Sequence, residues 1–154
     1  MAEIQFRKYT AEDASTFKTL NVEWLEMYFE VEPIDERVLS NPQTEILDPG
    51  GFIVMAELEG KTFGTFAYIK KGERLYEFSK MAIDPNYRGK GHGNTMMQFA
   101  ITFAEKRNWN KIILYSSTIL KNSIHLYRKY GFVEVPMEPE VLYSRGNIKM
   151  EMNF

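Results

Sequence analysis

Three glycines at alternate positions, Gly89, Gly91 and Gly93, separate a run ending Lys80-Met81-Ala82-Ile83-Asp84-Pro85 from an apolar stretch that begins after Asn94. In the order strand, loop, helix, this arrangement suits an anion. The first turn of a helix carries N–H groups without intrahelical acceptors and a partial positive charge of roughly half an electron. Glycine lets a ligand approach the backbone and permits left-handed conformations, so successive N–H groups form a nest. Arg88 and Lys90 add long-range attraction. A phosphate-bearing ligand is the first expectation. Two nucleotide-loop readings are weak on spacing. No Lys-Ser or Lys-Thr follows the glycines, as a Walker A loop requires, and Asn94 or Met96 stands where the third glycine of Gly-x-Gly-x-x-Gly belongs.

Other reactive groups are few. The chain has no cysteine, hence no thiolate nucleophile, no disulfide scaffold and no Cys-ligated metal. It has no Gly-x-Ser-x-Gly elbow. His92 and His125 are the only histidines, and neither has Asp, Glu or His at metal-ligand spacing, so no metal site is expected. In His92 the backbone rather than the ring is expected to matter, and His125 reads as structural.

The surrounding elements follow from periodicity. Thr10 reads as an N-cap, with Glu12 and Asp13 in the first turn. Phe17, Leu20, Trp24, Leu25 and Tyr28 recur at helical spacing over about five turns. Pro33 interrupts, and a short helix begins near Asp35 with Val38 and Leu39 inward. Pro42, Pro49, Gly50 and Gly51 mark a loop. Phe52–Leu58, Lys61–Ile69 and Leu75–Ile83 read as strands of an antiparallel meander, with turns at Glu59-Gly60 and Lys70-Lys71-Gly72. Thr95–Arg107 is an apolar helix, Lys111–Ser117 a buried strand, and Asn122–Tyr130 an amphipathic helix capped by Gly131. Phe132–Val135 and Ile148–Met152 are the last strands. Strand, helix, strand in the second half implies a right-handed βαβ crossover. The expected class is α+β, an α/β mixed sheet with a meander followed by a crossover and helices on both faces, in a single domain over residues 1–154.

Composition sets the outer limits. Of 154 residues, 44% are apolar, 26% charged and 14% aromatic, a globular balance that excludes a disordered chain. No run approaches the ~18 apolar residues of a membrane helix. The charged N-terminus lacks the apolar core of a secretory signal. A soluble, cytoplasmic protein without membrane contact is expected. The formal charge of −2 argues against a nucleic-acid partner, but it is polarised. Residues 1–60 hold 13 acidic and 4 basic side chains, and residues 61–129 hold 4 acidic and 13 basic. An anion for the middle segment and a cation for the first is one reading, and dispersed, solvated charge is the other.

Arg88-Gly89-Lys90-Gly91-His92-Gly93 resembles the Arg/Gln-x-x-Gly-x-Gly/Ala signature of the GNAT superfamily of N-acetyltransferases. Leu126-Tyr127-Arg128-Lys129-Tyr130-Gly131-Phe132 is similar to that family's second signature, Leu-Tyr-x-Lys-x-Gly-Phe. The order of elements is also the family's, so the resemblance covers essentially the whole chain. It implies an N-acetyltransferase in which residues 88–94 (Arg88, Gly89, Lys90, Gly91, His92, Gly93 and Asn94) cradle the pyrophosphate of acetyl-coenzyme A. The strand backbone at Met81, Ala82 and Ile83 would pair with the pantetheine arm, and one of its N–H groups would polarise the thioester carbonyl. Tyr127 matches the tyrosine that protonates the departing sulfur. Glu77 is similar in placement to carboxylates that act as base in some relatives. Many members carry an Asn seven residues before the helix tyrosine. Here Leu120 stands there, with Asn122 and Ser117 nearby, and Asn122 is the candidate for the cofactor.

In the family the first helices wall the acceptor pocket. Tyr28, Phe29 and Glu30, within an aromatic and acidic stretch, are therefore the expected substrate-binding residues. The acidic first segment favours a cationic small molecule or a peptide amine as acceptor. The alternative, from a different class, is a non-catalytic acyl-CoA-binding sensor or docking module. The last strand offers a route to a homodimer.

Overall fold

The structure is a computed structural model, and it describes residues 3–139 and 145–154. Alternation along the central strands sorts side chains onto two faces. In β2 (Phe52–Leu58), Val54 and Ala56 join one core while Ile53 and Met55 join the other. In β3 (Lys61–Gly72), Phe66 and Tyr68 enter the first core and Ala67 the second. A period of two does this because successive Cβ atoms point to opposite sides of a sheet.

Helix α1 (Ala14–Tyr28) and helix α2 (Pro33–Ser40) cover the second face with Phe17, Leu25, Val38 and Leu39. Helix α3 (His92–Lys106) covers the first face with Met96, Met97, Ala100, Phe103 and Ala104. Helix α4 (Lys121–Lys129) adds Ile124 and Tyr127 to that side. Helices thus lie on both faces, as expected.

The sheet has seven strands in the order β1-β2-β3-β4-β5-β7-β6. They are β1 (Gln5–Lys8), β2, β3, β4 (Leu75–Ile83), β5 (Lys111–Ser116), β6 (Val133–Val135) and β7 (Ile148–Asn153). Every neighbouring pair is antiparallel except β4 with β5, which α3 links. The mixed sheet is the class expected from sequence.

Several details correct the sequence reading. β1 was not anticipated. Only Phe6 is apolar within it, and its place comes from main-chain pairing with β2. β3 continues through Lys70-Lys71-Gly72, and the turn falls at Glu73-Arg74, where Arg74 takes φ 60°. Gln43–Leu47, read as loop, forms one wide helical turn that buries Ile46. α3 starts at His92 rather than Thr95, because Gly91 at φ 81° takes the cap position. β7 does not offer a free edge over its centre. Lys149, Met150 and Glu151 pair with β5 on one side and β6 on the other, while Met152 and Asn153 pair with β5 alone. Among the described residues no helix is long and apolar enough to cross a membrane.

Candidate active site

Strands β4 and β5 pair only at Leu75–Lys111, Tyr76–Ile112 and Glu77–Ile113. Beyond Glu77, β4 stays bonded to β3 alone, and the end of β5 stays bonded to β7. A bulge accompanies the parting. Lys80 and Met81 together oppose Phe66, and Lys80 adopts φ 56°. An extra residue of this kind bends its strand. The wedge opens into a cavity of about 660 Å³. Met81, Ala82 and Ile83 line it, and with no strand across from them the outer amides of β4 face that space.

The glycine loop closes one end. Asp84 stops β4 and accepts the Asn86 N–H at 2.8 Å, which holds the single turn Pro85–Tyr87. Gly89 and Gly91 then take φ 75° and 81°, and a Cβ on either would meet no atom within 4 Å. Their need for glycine is therefore conformational, and the space above them is open. Among the described residues the N–H groups of Gly89, Lys90 and Gly91 have no main-chain acceptor. His92 and Gly93 follow as unpaired donors of the first helical turn. Such a cradle of amides, with room above it, fits a diphosphate.

The charged residues of this loop also contact neighbouring elements. Arg88 donates through Nε to Ile83 O at 2.8 Å and through Nη2 to Glu23 at 2.5 Å, and its Nη1 reaches Met27 Sδ at 3.2 Å. It braces the loop against β4 and α1, with its charge matched by Glu23. Lys90 lies off the cavity lining, its ammonium 5.9 Å from the Tyr87 ring centroid. Asn94 accepts from Lys129 Nζ at 2.8 Å and from the Tyr130 hydroxyl at 3.0 Å, tying the start of α3 to the end of α4. The His92 ring packs 5.0 Å from that of Phe63, which leaves its backbone for the cradle.

Tyr127 gains its position from the way α4 ends. Phe132 N–H donates to Tyr127 O at 3.0 Å and Gly131 N–H to Arg128 O at 3.1 Å, with Gly131 at φ 106°. This is a Schellman closure, whose apolar contact joins the residue after the glycine to the one five places earlier. Here that contact sets the Phe132 ring edge-on to Tyr127 at 5.9 Å. The sequence Leu126 to Phe132 thus encodes a helix stop that orients a phenol into the cavity. Among the described residues the Tyr127 hydroxyl has no hydrogen-bond partner. Burial pushes its pKa up to about 12, so it is protonated at neutral pH. Asn122, Ser117 and Leu120 all line the cavity near α4, while His125, read as structural, is exposed at its rim.

Glu77 stands where the strands part. It is 6% exposed, lines the cavity and has Lys71 Nζ at 3.4 Å. Tyr115, on the facing strand, donates to Glu138 at 2.6 Å. Burial first, then Glu138 and the charge of Glu77, raise the Tyr115 pKa, so this phenol also stays neutral.

The acceptor side departs most from expectation. Phe29 lines the cavity, but Tyr28 is 46% exposed and, like Glu30, stands outside the lining. Tyr28 closes α1, and the chain leaves the helix at Phe29 with an extended backbone. Several acids of the first segment are paired. Glu23 pairs with Arg88, Glu36 with Lys18 at 2.8 Å, and both Glu32 and Asp35 with Arg145 at 2.8 and 2.7 Å.

Sequence reasoning missed Asn21, Trp24, Asp35, Lys80 and Arg145, all of which line this side. Asp35 is fully buried. Burial pushes its pKa up, but Arg145, the Glu32 N–H and Lys80 outweigh that, and the net shift is downward. Its only local signal is the reciprocal cap at the start of α2, where Asp35 accepts the Glu32 N–H at 2.9 Å. Nothing near Arg145 announces a partner 110 residues away. Among the described residues no three His, Asp or Glu side chains converge to hold a metal ion.

Comparison with known proteins agrees with this geometry. A profile of the acetyltransferase (GNAT) family matches residues 17–132. An N-acetylaspartate synthetase from Xenopus tropicalis is 35% identical over 89 residues, covering 56% of this chain and 32% of that protein. The match spans about a third to just under half the length of the first curated relatives. A GNAT-family acetyltransferase structure from Staphylococcus aureus superposes with a TM-score of 0.84 at 19% identity, covering 98% of this chain and 99% of that one. A spermidine N-acetyltransferase from Vibrio cholerae, in complex with CoA and spermine, gives 0.74 at 22% identity over 97% and 95% of the two chains. At such identities the structural likeness speaks to the fold.

Proposed function

The chain belongs to the acetyltransferase (GNAT) family, and from that premise we propose that it moves an acetyl group from acetyl-coenzyme A directly to a primary amine, in the cytoplasm, with residues 1–154 as one such domain. The observation that carries this reading is the parted strand pair. It sets a cradle of unpaired amides at one end of a cavity whose walls also hold Tyr127 and Glu77.

The cradle over residues 89–93 anchors the diphosphate, and the outer edge of β4 receives the pantetheine amides. Acetyl-CoA supplies an activated thioester carbonyl. An N–H of β4 near the bulge stabilises the oxyanion that forms when the amine attacks. The C–N bond forms and the C–S bond breaks. Glu77 takes the proton lost by the amine, directly or through water, and Tyr127 donates one to the departing sulfur.

A phenol near 12 facing a thiol of ordinary pKa near ~8.5 gives an uphill transfer in water. The desolvation that raises the phenol also destabilises the thiolate, so donation from Tyr127 strengthens as the C–S bond lengthens. Cysteine is absent, so an acyl-enzyme on a thiol is not available, which favours direct attack.

Relatives bear names with acceptors of opposite charge, aspartate in one and spermidine in another. The proposed acceptor is therefore an amine of a small molecule or a peptide. The test is thiol release from acetyl-CoA with a broad amine panel, with coenzyme A binding measured by calorimetry. Binding with amine-dependent release is expected. Binding without release from any amine favours the acyl-CoA-binding alternative, and no binding contradicts both.

A further inference from the structure

Helix α1 carries a polar residue in its apolar stripe. Phe17, Leu20 and Leu25 are buried at helical spacing, and Asn21, only 4% exposed, lies among them. Its Nδ2 donates at 3.0 Å to Phe17 O, the carbonyl one turn back, which fixes the amide and settles which end is the oxygen. That oxygen, Oδ1, has no hydrogen-bond partner among the described residues. Every fully enclosed side-chain polar atom among them does have one, so Oδ1 keeps an open side, and Asn21 lines the cavity. A half-satisfied amide in a core stripe works against packing and finds its use when a donor arrives from the open side.

The charged groups at this end are engaged with one another. Arg145 donates to Asp35 Oδ1 at 2.7 Å, to its Oδ2 at 2.8 Å and to Glu32 at 2.8 Å, and the Lys80 charge also acts on Asp35. What α1 leaves for a ligand is one acceptor oxygen beside apolar surface from Trp24, Leu25 and Phe29. The Trp24 and Phe29 rings meet at 6.2 Å and 49°. Glu77 faces them from the sheet. Its cross-strand partner is Ile69, which packs into the core beneath α1 and α2, and cross-strand partners share a face. Asn21 Oδ1 can only accept, so its partner is a donor. The reacting amine is such a donor: its lone pair has to point to the thioester, which leaves its N–H groups for Asn21 and Glu77. The rings and Leu25 favour an apolar body, whereas a second charge would be desolvated against them.

Within the acetyl-transfer reading on which this rests, we propose that Asn21 is a specificity-determining residue whose Oδ1 accepts an N–H of the attacking amine. The acceptor is then a primary amine on an uncharged apolar body, alkyl or aryl, packed against Trp24, Leu25 and Phe29.

The experiment uses the full chain with acetyl-CoA and reads thiol release. Hexylamine and phenethylamine are compared with hexamethylenediamine and aminocaproate, which add a charge at the far end of an alkyl chain. The expected kcat/KM is about ten-fold or more higher for the uncharged bodies. Asn21→Leu has the same branching and suits the stripe. It is expected to unfold at the wild-type temperature or above and to bind coenzyme A alike, while the amine KM rises about ten-fold. Asn21→Ser can donate to Phe17 O and still offer a lone pair, so its KM should fall between the two. An unchanged amine KM in Asn21→Leu would overturn the inference. So would a lower unfolding temperature in that variant, which makes the amide a structural group, or charged-body amines that react as well as the uncharged ones. Coenzyme A binding, followed in parallel, separates the failures. Bound cofactor with release only from charged-body amines sinks this inference alone, whereas no binding, or binding without release from any amine, sinks the acetyl-transfer reading with it.

Discussion

At the glycine-loop end of the cavity the groups offered to a ligand are main-chain amides, while at the α1–α2 end they are side chains held by one another. The first end takes its form from backbone angles at Gly89 and Gly91 and from the start of α3. The second depends on pairs far apart in sequence, Arg88 with Glu23 and Arg145 with Asp35. Amides cannot be exchanged by substitution, so a backbone site suits a part of the reaction that stays constant. Side chains can, so a site built from them suits a variable acceptor. Arg88 joins the two ends by holding Ile83 O and Glu23 at once.

Four substitutions would sharpen or break this contrast. The largest effect is expected on stability at the acceptor end. Asp35→Ala takes from Arg145 its fully buried, bidentate partner and leaves it the Glu32 pair, and losing one partner of a buried pair costs about 3–5 kcal/mol. Urea unfolding reads this directly, and a loss under 1 kcal/mol would mean the pair does not hold the wall.

At the other end the effect should fall on binding. In Gly91→Val a Cβ at φ 81° distorts the cradle, and losing two charge-assisted bonds of about 1.5 kcal/mol each weakens coenzyme A by roughly 100-fold or more. Calorimetry checks it, and near-normal affinity would show that the amides are not the anchor.

Next comes Tyr127→Phe, expected to lower kcat by about 100-fold with little change in either KM. The pH profile of the wild type adds a check. With its phenol raised to about 12, Tyr127 stays protonated as the amine loses its proton, so kcat should climb through pH 9 to 10 without the fall a phenol near 10 would cause. The same shift bears on stability. A group whose neutral form the fold favours contributes fully below its unfolded value near ~10 and loses that contribution as pH rises towards 12.

The smallest effect belongs to the brace between the two ends. Glu23→Gln breaks a partly exposed ion pair worth about 1 kcal/mol or less, and coenzyme A affinity should move only a few-fold. A loss as large as that of Gly91→Val would assign the cofactor to Arg88 rather than to the backbone.

The same contrast explains what could be read from the sequence. Backbone sites leave local marks. The alternate glycines, Asp84-Pro85 and the Tyr127-to-Phe132 helix stop each sit within a few residues, so the loop, the phenol and the meander were legible. Pairs between distant residues leave none, and Arg145 lies 110 positions from Asp35. In the acidic first segment the carboxylates of Glu23, Glu32, Asp35 and Glu36 are paired with Arg88, Arg145 and Lys18, contacts that the local sequence does not announce. Tyr28 and Glu30 shared the aromatic and acidic character of their neighbour Phe29, but Tyr28 ends α1 exposed and Glu30 stands outside the lining, so only Phe29 reaches the cavity. β1 escaped notice because an edge strand held by main-chain pairing needs little apolar pattern.

The central claim is that the amides of residues 89–93 grip the diphosphate. Titration of the 15N-labelled protein with coenzyme A, followed through its amide resonances, tests this most directly. The account predicts that the Gly89, Gly91 and Gly93 amides shift among the most in the spectrum, downfield as charged hydrogen bonds form. Saturable binding that leaves those three resonances where they were would contradict it.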